Sequence, residues 1–132
     1  MTTIPQLELA SRLALSVDLR KLAEACEGVL AVTQEGVVVT VPVDNLADRE
    51  LILLHLAKAR IAQVLGRSEK DFVQSSELIT CTKRTSGTVA GRLSELCAEE
   101  LAERIGKGEY RATTLGLHVF REQVLPKLKP KG

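Results

Sequence analysis

Between Thr88 and Gly116 the hydrophobic period of this chain changes once, from helical to extended. Val89, Leu93, Leu96 and Cys97 recur at three- and four-residue spacing, which lines them up on one helical face. Leu101 to Ile105 and Glu109 to Thr113 then flank a Gly106-Lys107-Gly108 tip and predict two short strands around a tight turn. The helical stripe has to be buried against other helices, and the chain supplies these upstream.

Ser75 to Lys83 reads as a short helix capped by Ser75 or Ser76 and carrying Leu78 and Ile79. Lys83 to Ser86 is the turn that follows, and the next helix runs over about 86–99. Asp48 opens the longest helix, to about Leu65, where Gly66 closes it. Ile52, Leu53, Leu56, Ile61, Val64 and Leu65 give this helix a wide apolar face. Leu51 and Leu54 widen it beyond one packed side, so it is either buried on several sides or paired with another subunit. Residues 67–74 read as a polar connection anchored by Phe72 and Val73. Before the long helix, residues 5–15 read as a short helix, and Asp18 caps a second one bearing Leu19, Leu22, Ala23 and Cys26 and stopped by Gly28. A β-hairpin is predicted from Val29–Thr33 and Val37–Val41 around Gln34-Glu35-Gly36, and its outer strand lacks a charged residue to block pairing. Thr114 caps a last helix with Leu115, Val119, Phe120 and Leu125 on one side, ended by Pro126 and a basic tail.

From Ser76 to Gly116 the chain resembles the winged helix-turn-helix regulators common in archaea and bacteria. The matching residues are Ser76-Glu77-Leu78, Gly87-Thr88-Val89, Arg92-Leu93-Ser94-Glu95-Leu96, the segment Glu103 to Arg111, and Thr113-Thr114-Leu115-Gly116. The resemblance implies an α+β, mostly helical protein with a winged helix-turn-helix at 46–127; the helix-plus-hairpin extension at 1–45 is then an added dimerisation or sensing arm, and the short polar tail at 128–132 reads as disordered. The resemblance also implies duplex DNA as partner and a homodimer regulating transcription, and the apolar excess on the helix at 48–65 motivates that dimer. Two family glycines are replaced: Thr82-Lys83 stand where a leucine and a glycine are usual, and Glu100 stands where a glycine precedes the first wing strand. A lysine held left-handed at 83 costs roughly 1 kcal/mol.

The DNA-facing residues expected on physical grounds are Lys83, Arg84, Thr85, Ser86, Thr88, Arg92, Lys107 and Arg111. Ser86, Gly87, Gly91 and Ser94 point outward once Val89, Leu93 and Leu96 face the core, so the backbone can approach a groove. Hydroxyls at 85, 86 and 88 suit phosphates or base edges at a helix amino end. Arg92 has the reach for a guanine. Lys83 and Arg84 lie in the turn, while Lys107 and Arg111 lie on the wing. A cationic ridge is expected where the amino end of 86–99 meets the loop at 106–108. Glu95 and Glu99 face solvent on the same helix and oppose phosphate, so only docking by the helix's amino end suits DNA.

Charge agrees in direction. Residues 1–66 carry six Lys/Arg and eight Asp/Glu, a balance of −2; residues 67–132 carry twelve and nine, a balance of +3, and the two sum to the net +1. Three aromatic residues, Phe72, Tyr110 and Phe120, are too few for the stacking platforms of single-strand binders. The alternative is a winged-helix module that binds another protein in a larger assembly. No enzyme motif is present, and no cofactor or metal is expected. Cys26, Cys81 and Cys97 have no metal spacing and read as reduced thiols of a cytoplasmic protein, with a Cys81–Cys97 disulfide conceivable. His55 and His118 read as structural helix residues. No apolar run is long enough to span a membrane.

Overall fold

The computed structural model describes residues 18–129, so the helix expected at 5–15 and the last three tail residues lie outside it. The chain opens with helix α1 (Leu19–Ala25), capped by Asp18, whose Oδ1 accepts from the amides of Arg20 (3.0 Å) and Lys21 (3.3 Å). Gly28, at φ +87°, turns it into hairpin β1 (Leu30–Thr33) and β2 (Gly36–Val39), paired Leu30 to Val39 and Val32 to Val37. The second strand stops two residues before the predicted Val41. Thr40 instead closes the hairpin base through its amide (2.8 Å) and hydroxyl (3.0 Å), both donated to the carbonyl of Val29.

Helix α2 (Asp48–Val64) is the axle of the fold. Leu51 through Ala57, Ile61 and Ala62 are all buried, on several sides of the helix. Its neighbours are α1, β2 and the C-terminal helices, together with α3 (Ser75–Thr82) and α4 (Ser86–Ala98). The apolar excess is therefore consumed within the chain, and the motive it offered for a second subunit goes with it. Its amino end has only half a capping box: Glu50 accepts the Ala47 amide at 2.8 Å, but Ala47 has no oxygen to return the bond. Leu22, Cys26 and Val29 of the N-terminal part belong to the same continuous core as Leu93, Phe120 and Leu128.

The connection at 67–74 contains a strand, β3 (Val73–Gln74), which the sequence reading missed. It pairs with β5 (Glu109–Ala112), which pairs in turn with β4 (Ala102–Gly106), giving an antiparallel sheet of order β3-β5-β4. Helix α3 follows β3 without a break, so its cap residue is Gln74, not Ser75 or Ser76. Glu77 accepts the Gln74 amide at 3.4 Å.

Lys83 ends α3 in the left-handed region, at φ 58°, and Glu100 takes the same conformation (φ 63°) after α4. These are the two positions where the resemblance implied a missing glycine. The unfavourable threonine before Lys83 is buried, and its hydroxyl donates to the carbonyl of Leu78. The helix predicted to be last begins as α5 (Thr114–Val119), capped by Thr113 instead of Thr114: Thr113 Oγ1 accepts the Gly116 amide at 2.9 Å and donates to the Glu100 carbonyl at 2.6 Å.

The chain then passes through a π-helical turn, Phe120–Val124, into α6 (Leu125–Leu128). Pro126 does not end the helix. The amide of Leu125 reaches back five residues to Phe120, and Pro126 enters in the first turn of the helix that follows this wider turn, where a proline is tolerated. Leu128, expected in the tail, is buried in the core.

Candidate nucleic-acid interface

Helices α3 and α4, joined by the turn at 83–85, carry most of the expected contacts. Thr85 caps α4: its Oγ1 accepts the Thr88 amide at 3.2 Å and lies 3.0 Å from Thr88 Oγ1. These two hydroxyls serve the helix and each other. Ser86 and Gly87 are exposed in the first turn of α4, and Ser94 is exposed further along the same helix.

The five expected cations divide into two groups. Three arginines are engaged within the chain. Arg84 Nε lies 2.7 Å from Asp48 Oδ1, and its Nη1 donates to the Thr82 carbonyl at 3.3 Å. Arg92 pairs with Glu95 at 2.7 Å, and its Nε is buried without a partner. Arg111 bridges Asp71 (3.2 Å) and its cross-strand neighbour Glu103 (3.0 Å), which ties the sheet together, and hydrogen bonding to Glu103 raises its pKa first of all. Lys83 and Lys107 are exposed, and neither has an acidic partner among the described residues.

The wing turn is seated differently from the expected corner. Gly108 accepts the Ser75 amide at 2.8 Å, so the tip rests on the amino end of α3. Lys83 stands at the other end of that helix, eight residues and roughly 12 Å away along its axis. The two free lysines thus bracket α3, and the amino end of α4 follows directly on the second.

Two residues on this side of the molecule were missed by sequence reasoning. Arg104 is exposed on β4, and its Nε donates to the Gly106 carbonyl at 3.2 Å, which holds it beside the Lys107 turn. Arg49 of α2 grips Glu99 with both Nη atoms (2.5 and 2.9 Å) and lies 3.9 Å from Glu95. The Arg49 guanidinium holds the Glu99 carboxyl below its usual range. The two acids that opposed phosphate are thereby partly neutralised. Nothing in the sequence spacing signals this pairing, because Arg49 in α2 and Glu99, just past the end of α4, lie fifty residues apart.

Elsewhere the three cysteines are free thiols, so Cys81 and Cys97 are not joined. Among the described residues no group of three or more His, Cys, Asp and Glu side chains is placed to hold a metal, and no helix is long and apolar enough to cross a membrane. Compared with known protein families, with curated proteins and with solved structures, the chain finds no match in any of the three.

Proposed function

We propose that residues 46–127 form a winged helix-turn-helix that binds duplex DNA and regulates transcription, with the helix-and-hairpin extension packed on its first helix. The reading rests most heavily on one observation: a helix, a short strand, two more helices and a hairpin assemble so that the strand between the first and second helices joins the hairpin as β3-β5-β4. In this reading α4 enters the groove by its amino end. Ser86 and Gly87 approach the duplex, the free backbone amides of the first turn favour phosphate, and Lys83, Lys107 and Arg104 neutralise the backbone on either side. In a cell without a nucleus such a protein would work in the cytoplasm.

A homodimer in this reading forms through the hairpin rather than through α2. Val32 (47% exposed) and Val38 (39% exposed) are two of the three most exposed large apolar residues among those described, and among the described residues neither β1 nor β2 pairs with a third strand.

A protein-binding module is the second reading, and one observation favours it: Arg84, Arg92 and Arg111 are already engaged by carboxylates. Retardation of random duplex DNA over a salt series separates the two. DNA binding predicts an affinity that falls with salt and a slope that drops by about 0.9 for each lysine removed in Lys83→Gln and Lys107→Gln. Absence of retardation at low salt, with the chain folded, leaves only the protein-binding reading.

A further inference from the structure

We propose that the shallow groove between α1, the start of β1 and the carboxyl end of α2 is the seat of this chain's own amino-terminal segment, residues 5–15. The groove has a volume of about 400 Å³. Ala23, Leu30 and Leu65 give it an apolar floor, and all three are only half-buried against the core. Val32 extends that floor. It lies two residues after Leu30 on the same face of β1, and it is 47% exposed although its cross-strand partner Val37 is buried. An apolar strip that crosses a helix, a strand and a helix end is a surface fitted to a cover.

The segment that fits it is adjacent in the chain. Asp18 caps α1, so residues 1–17 arrive at the amino end of the helix that walls the groove. Taken as a helix, 5–15 places Leu9, Ala10, Leu13 and Ala14 along one side and Glu8, Ser11 and Arg12 on the other. Ser16, Val17 and Asp18 then form the connection to α1. Helices joined by so short a link lie antiparallel and side by side. The segment as a helix is roughly 16 Å long, against roughly 10 Å for the seven residues of α1, so it covers α1 and reaches Leu30 and Val32.

Charge supports the same occupant. Glu24 and Glu27 border the groove, and neither has a basic partner among the described residues. Arg12 flanks the Leu9–Leu13 stripe, and an antiparallel pair brings it within a turn of Glu24. Arg20, the one cation on the border, stands in the first turn of α1, beside the connection. A small polar ligand fits less well, because the buried side-chain atoms without a partner among the described residues belong to His55 and Arg92, outside this groove. Val38 pairs with Ala31 and faces away from the groove, so the segment leaves that side of the hairpin to a second copy. The proposal is independent of DNA binding.

The test is methyl NMR of the full chain. The expected result is nuclear Overhauser contacts from Leu9 and Leu13 to Leu30, Val32 and Leu65, present within one molecule and absent between labelled and unlabelled molecules in a mixed sample. Leu9→Ser/Leu13→Ser should abolish these contacts, shift the Val32 and Leu65 methyl signals, leave the α4 signals in place, and speed amide exchange across 7–15 about tenfold or more. Val32→Thr, at an exposed position and still β-branched, keeps the hairpin and should shift the Leu9 or Leu13 signals. The proposal is overturned if the parent shows no such contacts, if they appear only between molecules, which would make a second copy the occupant, or if the double variant leaves the Val32 and Leu65 signals where the parent has them.

Discussion

Gly116 packs directly against the backbone of Leu101: a methyl group built on it would lie 1.9 Å from the Leu101 carbonyl oxygen. That carbonyl also accepts the Thr113 amide at 3.1 Å, so it is not free to turn aside. The close approach seats α5 on the corner between α4 and β4. Gly116→Ala should cost at least the ~1–3 kcal/mol of ordinary overpacking, read as a lower urea midpoint at unchanged m value. A midpoint equal to the parent's would mean that the corner relaxes freely.

Lys83 and Glu100 hold left-handed backbone without being glycine. Replacing either by glycine removes a penalty of roughly 1–2 kcal/mol, less the entropy that glycine adds to the unfolded chain. Glu100→Gly should therefore raise the melting temperature by about 2–6 °C, while Glu100→Ala, which keeps the strain, should not. Equal melting temperatures for the two variants would refute a conformational cause.

His55 makes stability depend on pH with a definite sign. Its folded pKa is lowered to about 4 from 6.5, so the unfolded chain takes up this proton first as pH falls. The contribution is complete above pH 6.5 and is lost progressively down to about pH 4, by which point the loss amounts to about 3 kcal/mol. Denaturation curves between these limits should show that decline in the parent and a flatter profile in His55→Gln. A parent profile as flat as the variant's would contradict the neutral buried ring.

Arg111 and Lys107 lie close together in sequence around the wing and should behave oppositely. Arg111 holds Asp71 and Glu103 across the sheet, and both ion pairs are partly solvated. Arg111→Gln should then lower stability by about 1 kcal/mol. If the protein binds DNA as proposed, that variant keeps the parent's salt slope and Lys107→Gln loses about one contact from it. A salt slope reduced equally by both would place Arg111 in the interface.

The elements that announced themselves in sequence are those with local causes. Asp18 and Gly28 bracket α1 because a carboxylate caps amides and glycine turns left-handed. The stripe Val89, Leu93 and Leu96 fixed the inner face of α4, and the replaced glycines at 83 and 100 marked the two strained residues correctly. What stayed hidden depends on partners distant in the chain. Strand β3 is two residues long and exists only because β5 pairs with it. That pairing makes Gln74 the cap of α3 and brings Gly108 to Ser75. Arg84 and Arg111 looked available because Asp48 and Asp71, their partners, are thirty-six and forty residues away.

The wide turn at Phe120–Val124 has a consequence for the far end of the chain. One additional residue in a helical turn rotates everything after it by roughly 100°. Here that rotation aims Leu125 and Leu128 inward. Removing a single residue from the segment would swing both leucines toward water and press the Pro126 ring on a carbonyl, so the length of this stretch acts as the dial that sets where the chain's final apolar side chains point.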